Sequence, residues 1–126
     1  LDLQGNEISL ADYRNMAIAL IFWEPSSRQS IRLLTKMESM VKIFNGMKII
    51  AVCKDNDRNG LKNFIKEKEI THIIIPDGEN IFSKYSVRDI PDTVFIDKAG
   101  KVRSRISGYK IGSEDEIINK IEEILK

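Results

Sequence analysis

The chain has 126 residues, 42% of them apolar and 31% charged, and its twenty basic and nineteen acidic residues leave a formal net charge of +1. That length suits one domain spanning 1–126, which buries roughly two-thirds of its unfolded surface without disulfides or metals. So small a charge excludes attraction of the whole molecule to nucleic acid or to an anionic membrane surface. The longest apolar runs, such as Met16 to Trp23, are strand-length, which excludes membrane insertion by this domain. Cys53 is the only cysteine, so no intramolecular disulfide can form. The opening Leu1 to Asn6 has neither the basic nor the apolar segment of a secretory leader. Because the first residue is not methionine, this carries no inference about compartment.

Asn6 to Tyr13 reads as an edge hairpin or loop after a Gly5-Asn6 turn. Ala17 to Trp23 is a nearly continuous apolar run, the pattern of a strand covered on both faces. The period then changes. Ile31, Leu34, Met37, Val41 and Phe44 mark one face of a helix over about 27–45, with Ser26 or Ser27 as N-cap and Gly46 as the C′ residue. Met47 to Cys53 is a second buried strand, and Leu61, Phe64 and Ile65 predict a helix after a polar loop. His72 to Ile75 is a third short strand, stopped by Pro76 and an Asp77-Gly78 turn, and Ile81, Phe82 and Tyr85 fit a short helix. Thr93 to Asp97 and Val102 to Ser107 flank Lys98-Ala99-Gly100-Lys101 as an antiparallel hairpin. A last helix carries the stripe Ile117, Ile121, Ile124 and Leu125 behind a capping box of Ser113 and Glu116. Strands alternating with helices, then a hairpin and a helix, predict an α/β sandwich with a mixed central sheet flanked by helices.

Few residues suggest chemistry by themselves. Cys53 ends the second strand at the carboxyl edge of the sheet, where ligands of open α/β sheets sit. It is a possible redox thiol, but the preceding Ile49-Ile50-Ala51-Val52 favours a buried, inert cysteine. Asp55-Asn56-Asp57-Arg58-Asn59-Gly60 copies half of a calcium loop, yet Lys62 and Lys66 stand at its eighth and twelfth positions, so a helix cap is the better reading. Lys66 to Glu69 is a solvated helix face. His72, the only histidine, has no motif linking it to a nucleophile. No metal and no cofactor are predicted.

Three segments carry a resemblance. Phe22-Trp23 leads into a helix opening Ser27-Arg28-Gln29-Ser30, Tyr85 to Thr93 follows the pattern Y-x-V-x-x-I-P-x-T, and Phe95 to Val102 follows F-I-D-x-x-G-x-V. With Leu3 to Leu10 as an entry hairpin, the order and spacing resemble the thioredoxin-like domains of TlpA/ResA-type thiol-disulfide oxidoreductases, relatives of the AhpC/TSA proteins. The resemblance implies a thioredoxin-like sandwich and a cis-proline at Pro91 facing a Cys-x-x-Cys pair. In this chain the pair falls on Ser27 and Ser30, the preceding tryptophan on Ser26, a glutamate on Leu33 and a proline on Thr35. No catalytic residue is intact, and whether the chain is an enzyme stays open.

The resemblance further implies a peptide-binding face of Trp23, Ser26, Ser27, Arg28, Gln29, Ser30, Ile90 and Pro91. Of these, Arg28 and Gln29 also read as a plain solvated first turn, with Arg32 one turn on. The expected function is non-covalent binding of a protein or peptide segment at a redox-inactive site. The alternative is an oxidoreductase, either single-thiol through Cys53 or a substituted form of a Cys-x-x-Cys enzyme. A module that tethers a longer chain is a third reading. The family places such domains in the bacterial periplasm or cell envelope; the partner and oligomeric state are not legible.

Overall fold

The computed structural model describes residues 1–110 and 112–126. Five strands, β1 (Ala17–Phe22), β2 (Met47–Val52), β3 (Ile73–Ile75), β4 (Asp92–Ile96) and β5 (Val102–Ser107), form one sheet in the order β3-β2-β1-β4-β5. The strands β1, β2 and β3 run parallel, while β4 is antiparallel to β1 and β5 to β4. Four helices accompany them: α1 (Arg28–Ile43), α2 (Arg58–Glu67), α3 (Glu79–Lys84) and α4 (Glu114–Leu125). This is the mixed sheet flanked by helices that the residue pattern predicts.

The two faces of the sheet are covered unequally, and the side chains of β1 record it. Ala17, Ala19 and Ile21 point into a core shared with Leu34 and Met37 of α1, Leu61 of α2, and Ile117, Ile121 and Ile124 of α4. Small residues let the helices approach closely there. Ile18, Leu20 and Phe22 point the other way, where Phe82 of the short α3 and the N-terminal segment are the cover. Larger side chains fill that thinner layer. β5 lies at the sheet edge with outward Arg103 and Arg105, charges that discourage pairing with another strand.

Four local expectations are corrected. Of the two readings of Asn6 to Tyr13, the loop holds and the hairpin does not: the segment runs into a single 3-10 turn, Leu10–Tyr13, capped by Ser9. The backbone before it is tied instead to the edge of the sheet, the Leu3 N–H donating to the Ile74 carbonyl at 2.9 Å and the Asp2 carboxylate accepting the N–H groups of Gln4 and Asn6. Helix α1 stops at Ile43, because the Phe44 N–H closes the last bond to Met40 while Phe44 itself is extended; Gly46, at φ +85°, turns the chain into β2 one position beyond C′, which is Asn45. The third strand starts at Ile73, leaving His72 just outside it. Ser113 is no capping box, since its backbone is already helical and its hydroxyl accepts the Lys110 N–H at 3.0 Å.

His72 fastens the α2–β3 connection to α1. Its Nε2 lies 3.0 Å from the Leu34 carbonyl and its Nδ1 3.3 Å from Glu38 Oε1, while Glu38 also accepts the backbone N–H and the hydroxyl of Thr71. Burial pushes the His72 pKa below its ordinary value, outweighing the Leu34 carbonyl and Glu38, which pull it up. The unfolded chain therefore takes the proton first as pH falls. Stability contributed by the neutral ring is complete above about pH 6.5 and is lost progressively below it. Urea denaturation at pH 7.5 and 5.5 should show the protein weaker at 5.5, with the difference reduced in His72→Gln. An unchanged difference in the variant would assign the loss to carboxylates instead.

Candidate functional site

The antiparallel register of β1 and β4 builds the site. Phe22 pairs with Asp92, so the residues just beyond, Trp23 and Pro91, face each other at the end of the sheet. From Trp23, whose N–H donates to the Val52 carbonyl, the chain turns through Glu24–Ser27, closed by the Ser27 N–H on the Glu24 carbonyl at 3.1 Å, and enters α1. Ser27 is the N-cap: its hydroxyl accepts the Ser30 N–H at 3.1 Å. Ser30 is fully buried one turn on, and its hydroxyl accepts the Glu24 N–H at 3.3 Å. Both serines thus satisfy backbone donors that the turn and the helix start would otherwise strand.

Opposite Trp23 the Ile90–Pro91 bond is cis, and the Pro91 carbonyl accepts the Gly108 N–H at 2.6 Å. Among the described residues the N–H and C=O of Ile90 have no partner. The expected contact face is therefore only partly a surface. Ser26, Arg28 and Gln29 are exposed and Ser27 and Ile90 half-buried, whereas Trp23, Ser30 and Pro91 are buried. Trp23 has no accessible surface and stacks on Phe64 of α2 with ring centroids 5.7 Å apart. It supports the site from below and is not a contact residue, because its ring fills the gap between β1 and α2.

Cys53 follows β2 immediately and is fully buried. Its backbone is held on both sides, the N–H donating to Ile75 and the carbonyl accepting from Gly78. Burial pushes the thiol up to about 12; the Asp55 backbone N–H pulls against it, while the charges of Asp55, Asp77 and Glu24 add to the rise. In the Asp55–Gly60 loop, Asp55 accepts the Asp57 N–H at 2.8 Å and Asp57 accepts the Gly60 N–H at 3.0 Å as the N-cap of α2.

Two supporting residues escape a reading of the sequence. Gly78 is there for space: a Cβ at this position would run into Val52 Cγ1 and stand 3.0 Å from the Cys53 carbonyl, while the left-handed residue of the turn is Asp77 at φ +56°. Asp92, next to Pro91 and almost fully buried, is gripped by Arg105 of β5, whose Nε lies 3.0 and 2.9 Å from its two carboxylate oxygens. Asp92 lies one residue before the predicted hairpin, and extending that ladder by one step would have placed it diagonally across from Arg105.

A mixed sheet in this order, with a helix opening after β1 against a cis X–Pro before β4, defines a thioredoxin-like domain. The AhpC/TSA family model matches residues 1–105, and the chain belongs to that family. It is 31% identical over 110 residues to the thiol-disulfide oxidoreductase ResA of Bacillus cereus, an alignment covering 85% of this chain and 64% of the relative. Its fold superposes on the thiol:disulfide interchange protein of Chlorobium tepidum with a TM-score of 0.86 at 16% identity, covering 100% of this chain and 91% of the other. For the exposed lipoprotein thioredoxin of Streptococcus pneumoniae the TM-score is 0.80 at 21% identity, covering 98% and 96%. At such identities these two structures speak to the fold alone.

Proposed function

We propose that this member of the thioredoxin-like thiol-disulfide oxidoreductase family performs no thiol chemistry at the start of α1. It acts by binding an extended protein or peptide segment non-covalently at the Ser27/Pro91 face, in the bacterial cell envelope. The observation that carries this is Ile90, whose peptide groups lack partners among the described residues. A strand laid beside it would satisfy both, which is recognition by strand addition. The serines support the redox-inactive half. A serine hydroxyl keeps its proton at neutral pH, and activation needs a neighbouring base; the one histidine is held by Leu34 and Glu38 instead. Cys53, buried and pushed to about 12, is not a thiolate at neutral pH, which disfavours the single-thiol alternative. The envelope location rests on the family's usual placement.

The protein should give no turnover with a disulfide substrate and dithiothreitol, and Cys53 should label with a thiol reagent slowly when native and readily in denaturant. Turnover abolished by Cys53→Ser would overturn the redox-inactive reading. Titration with extended peptides, followed by amide NMR, should shift Ile90, Ser27 and Arg28. Peptides that bind while leaving Ile90 unmoved would overturn the binding face.

A further inference from the structure

Helix α1 carries an uneven charge pattern on the side next to this face. Arg28, Arg32 and Lys36 follow one another at four-residue steps, all exposed, and none is in an ion pair among the described residues. The one acid of the helix, Glu38, is turned away and engaged with His72 and Thr71. Helix stability does not ask for this arrangement: cations in the first turns oppose the helix dipole, and no acidic residue stands there to offset them.

The stripe borders a groove of about 390 Å³ between α1 and Tyr109, floored by Ile31 and Tyr109 and flanked by Arg32, Thr35 and Lys36. The groove lies close to the ledge at Pro91 along the chain, because Tyr109, which lines it, directly follows Gly108, whose N–H is bonded to the Pro91 carbonyl. Glu114 lies nearby, its oxygens accepting the Tyr109 hydroxyl at 2.9 Å and the Gly112 N–H at 3.0 Å, and Glu116 shares a neighbouring hollow with Tyr109. On α1 itself three exposed cations therefore stand without an ion-pair partner among the described residues.

Resting on the strand-addition reading above, we propose that the bound segment is acidic, with Asp or Glu at alternate positions of an extended strand that runs from Ile90 along the α1–Tyr109 groove. The spacing supports it. Four residues of helix advance about 6 Å, and two residues of strand about 6.7 Å. Alternate side chains of the segment therefore meet Arg28, Arg32 and Lys36 in turn, and the long cationic side chains absorb the small mismatch. The intervening side chains, pointing the other way, can be of any kind. An anionic membrane is the less favoured occupant, because a headgroup surface makes no use of the unpartnered Ile90 backbone and three cations are few for stable anchoring.

The test uses labelled nine-residue peptides with Glu, Gln or Lys at alternate positions among valine and threonine, measured by fluorescence anisotropy and amide NMR. The Glu peptide should bind on the order of ten-fold more tightly than the Gln peptide, the sum of several rim ion pairs, and the advantage should shrink between 50 and 200 mM salt. Arg28→Gln/Arg32→Gln/Lys36→Gln should erase the difference while retaining the melting temperature. If Gln and Glu peptides bind equally and both shift Ile90, the acidic specificity is wrong and the binding face stands. If the Glu peptide binds through the stripe without shifting Ile90, the strand-addition reading fails and this proposal with it. Capture by phosphatidylglycerol vesicles, lost in the triple variant and unaccompanied by peptide binding, would overturn the proposal in favour of a membrane.

Discussion

Trp23→Ala should destabilise the protein by about 3–5 kcal/mol, the cost of deleting a large aromatic side chain from a packed interior. Trp23 has no exposed surface, stacks on Phe64 and lies between the end of β1 and α2, so its loss opens a cavity that two elements must collapse to fill. The turn Glu24–Ser27 starts from it, and the capping geometry of Ser27 should loosen with it. Trp23→Phe is expected to cost less than about 1.5 kcal/mol, in the range of conservative apolar exchanges. Among the described residues the indole Nε1 has no hydrogen-bond partner, so removing it forfeits no bond. Urea denaturation followed by circular dichroism measures both. A loss below about 1 kcal/mol in the alanine variant would show that the ring is not the support described.

Arg105→Met should cost about 3 kcal/mol, the lower end of what breaking a buried pair removes. The Asp92 side chain is 2% exposed and that of Arg105 34%, so the substitution leaves a carboxylate without its partner while water reaches only the arginine side. Adding Asp92→Asn to the same background should recover part of the loss, because no charge then remains stranded. The four-way comparison of stabilities isolates the coupling. A double variant as weak as the sum of its singles would remove the pair from the account. Since Asp92 adjoins Pro91, the same variants should blur peptide-induced shifts at Ile90 more than those at Arg28.

The buried strands and the amphipathic helices were legible because their signals are local: period-two or continuous apolar runs for β1 and β2, and three- and four-residue spacing for α1 and α4. The hairpin at Lys98–Lys101 was legible for the same reason, with the Asp97 carboxylate closing the turn on the Ala99 and Lys101 N–H groups. What failed depended on partners far along the chain. The N-terminal segment shows hairpin-like turn residues, but Leu3 bonds to Ile74 and Ile8 packs on the opposite face from Leu3. The box at Ser113 satisfied a spacing rule, yet the hydroxyl found Lys110 instead. At the site, residue types were readable and exposure was not. Trp23 and Ser30 stand among residues that read as a contact face, and only the packing of α2 against β1 and the turn before α1 put them underneath. Gly78 looked like a turn residue because its actual constraint, the approach of α3 to Val52, involves a neighbour far away in sequence.

The pairing of Phe22 with Asp92 makes the ladder between β1 and β4 a ruler for where insertions can be accepted. A residue added at Lys98–Lys101 lengthens a surface turn beyond the last paired residues and leaves Pro91 opposite Trp23. One added between Asp92 and Val94 shifts every later side chain of β4 to the wrong face or carries Pro91 away from the start of α1, since a one-step slip in a strand reverses its alternation. Length variation within this family should therefore collect in the loop after β4, while the stretch from Pro91 to Ile96 holds one length in any member that uses this face.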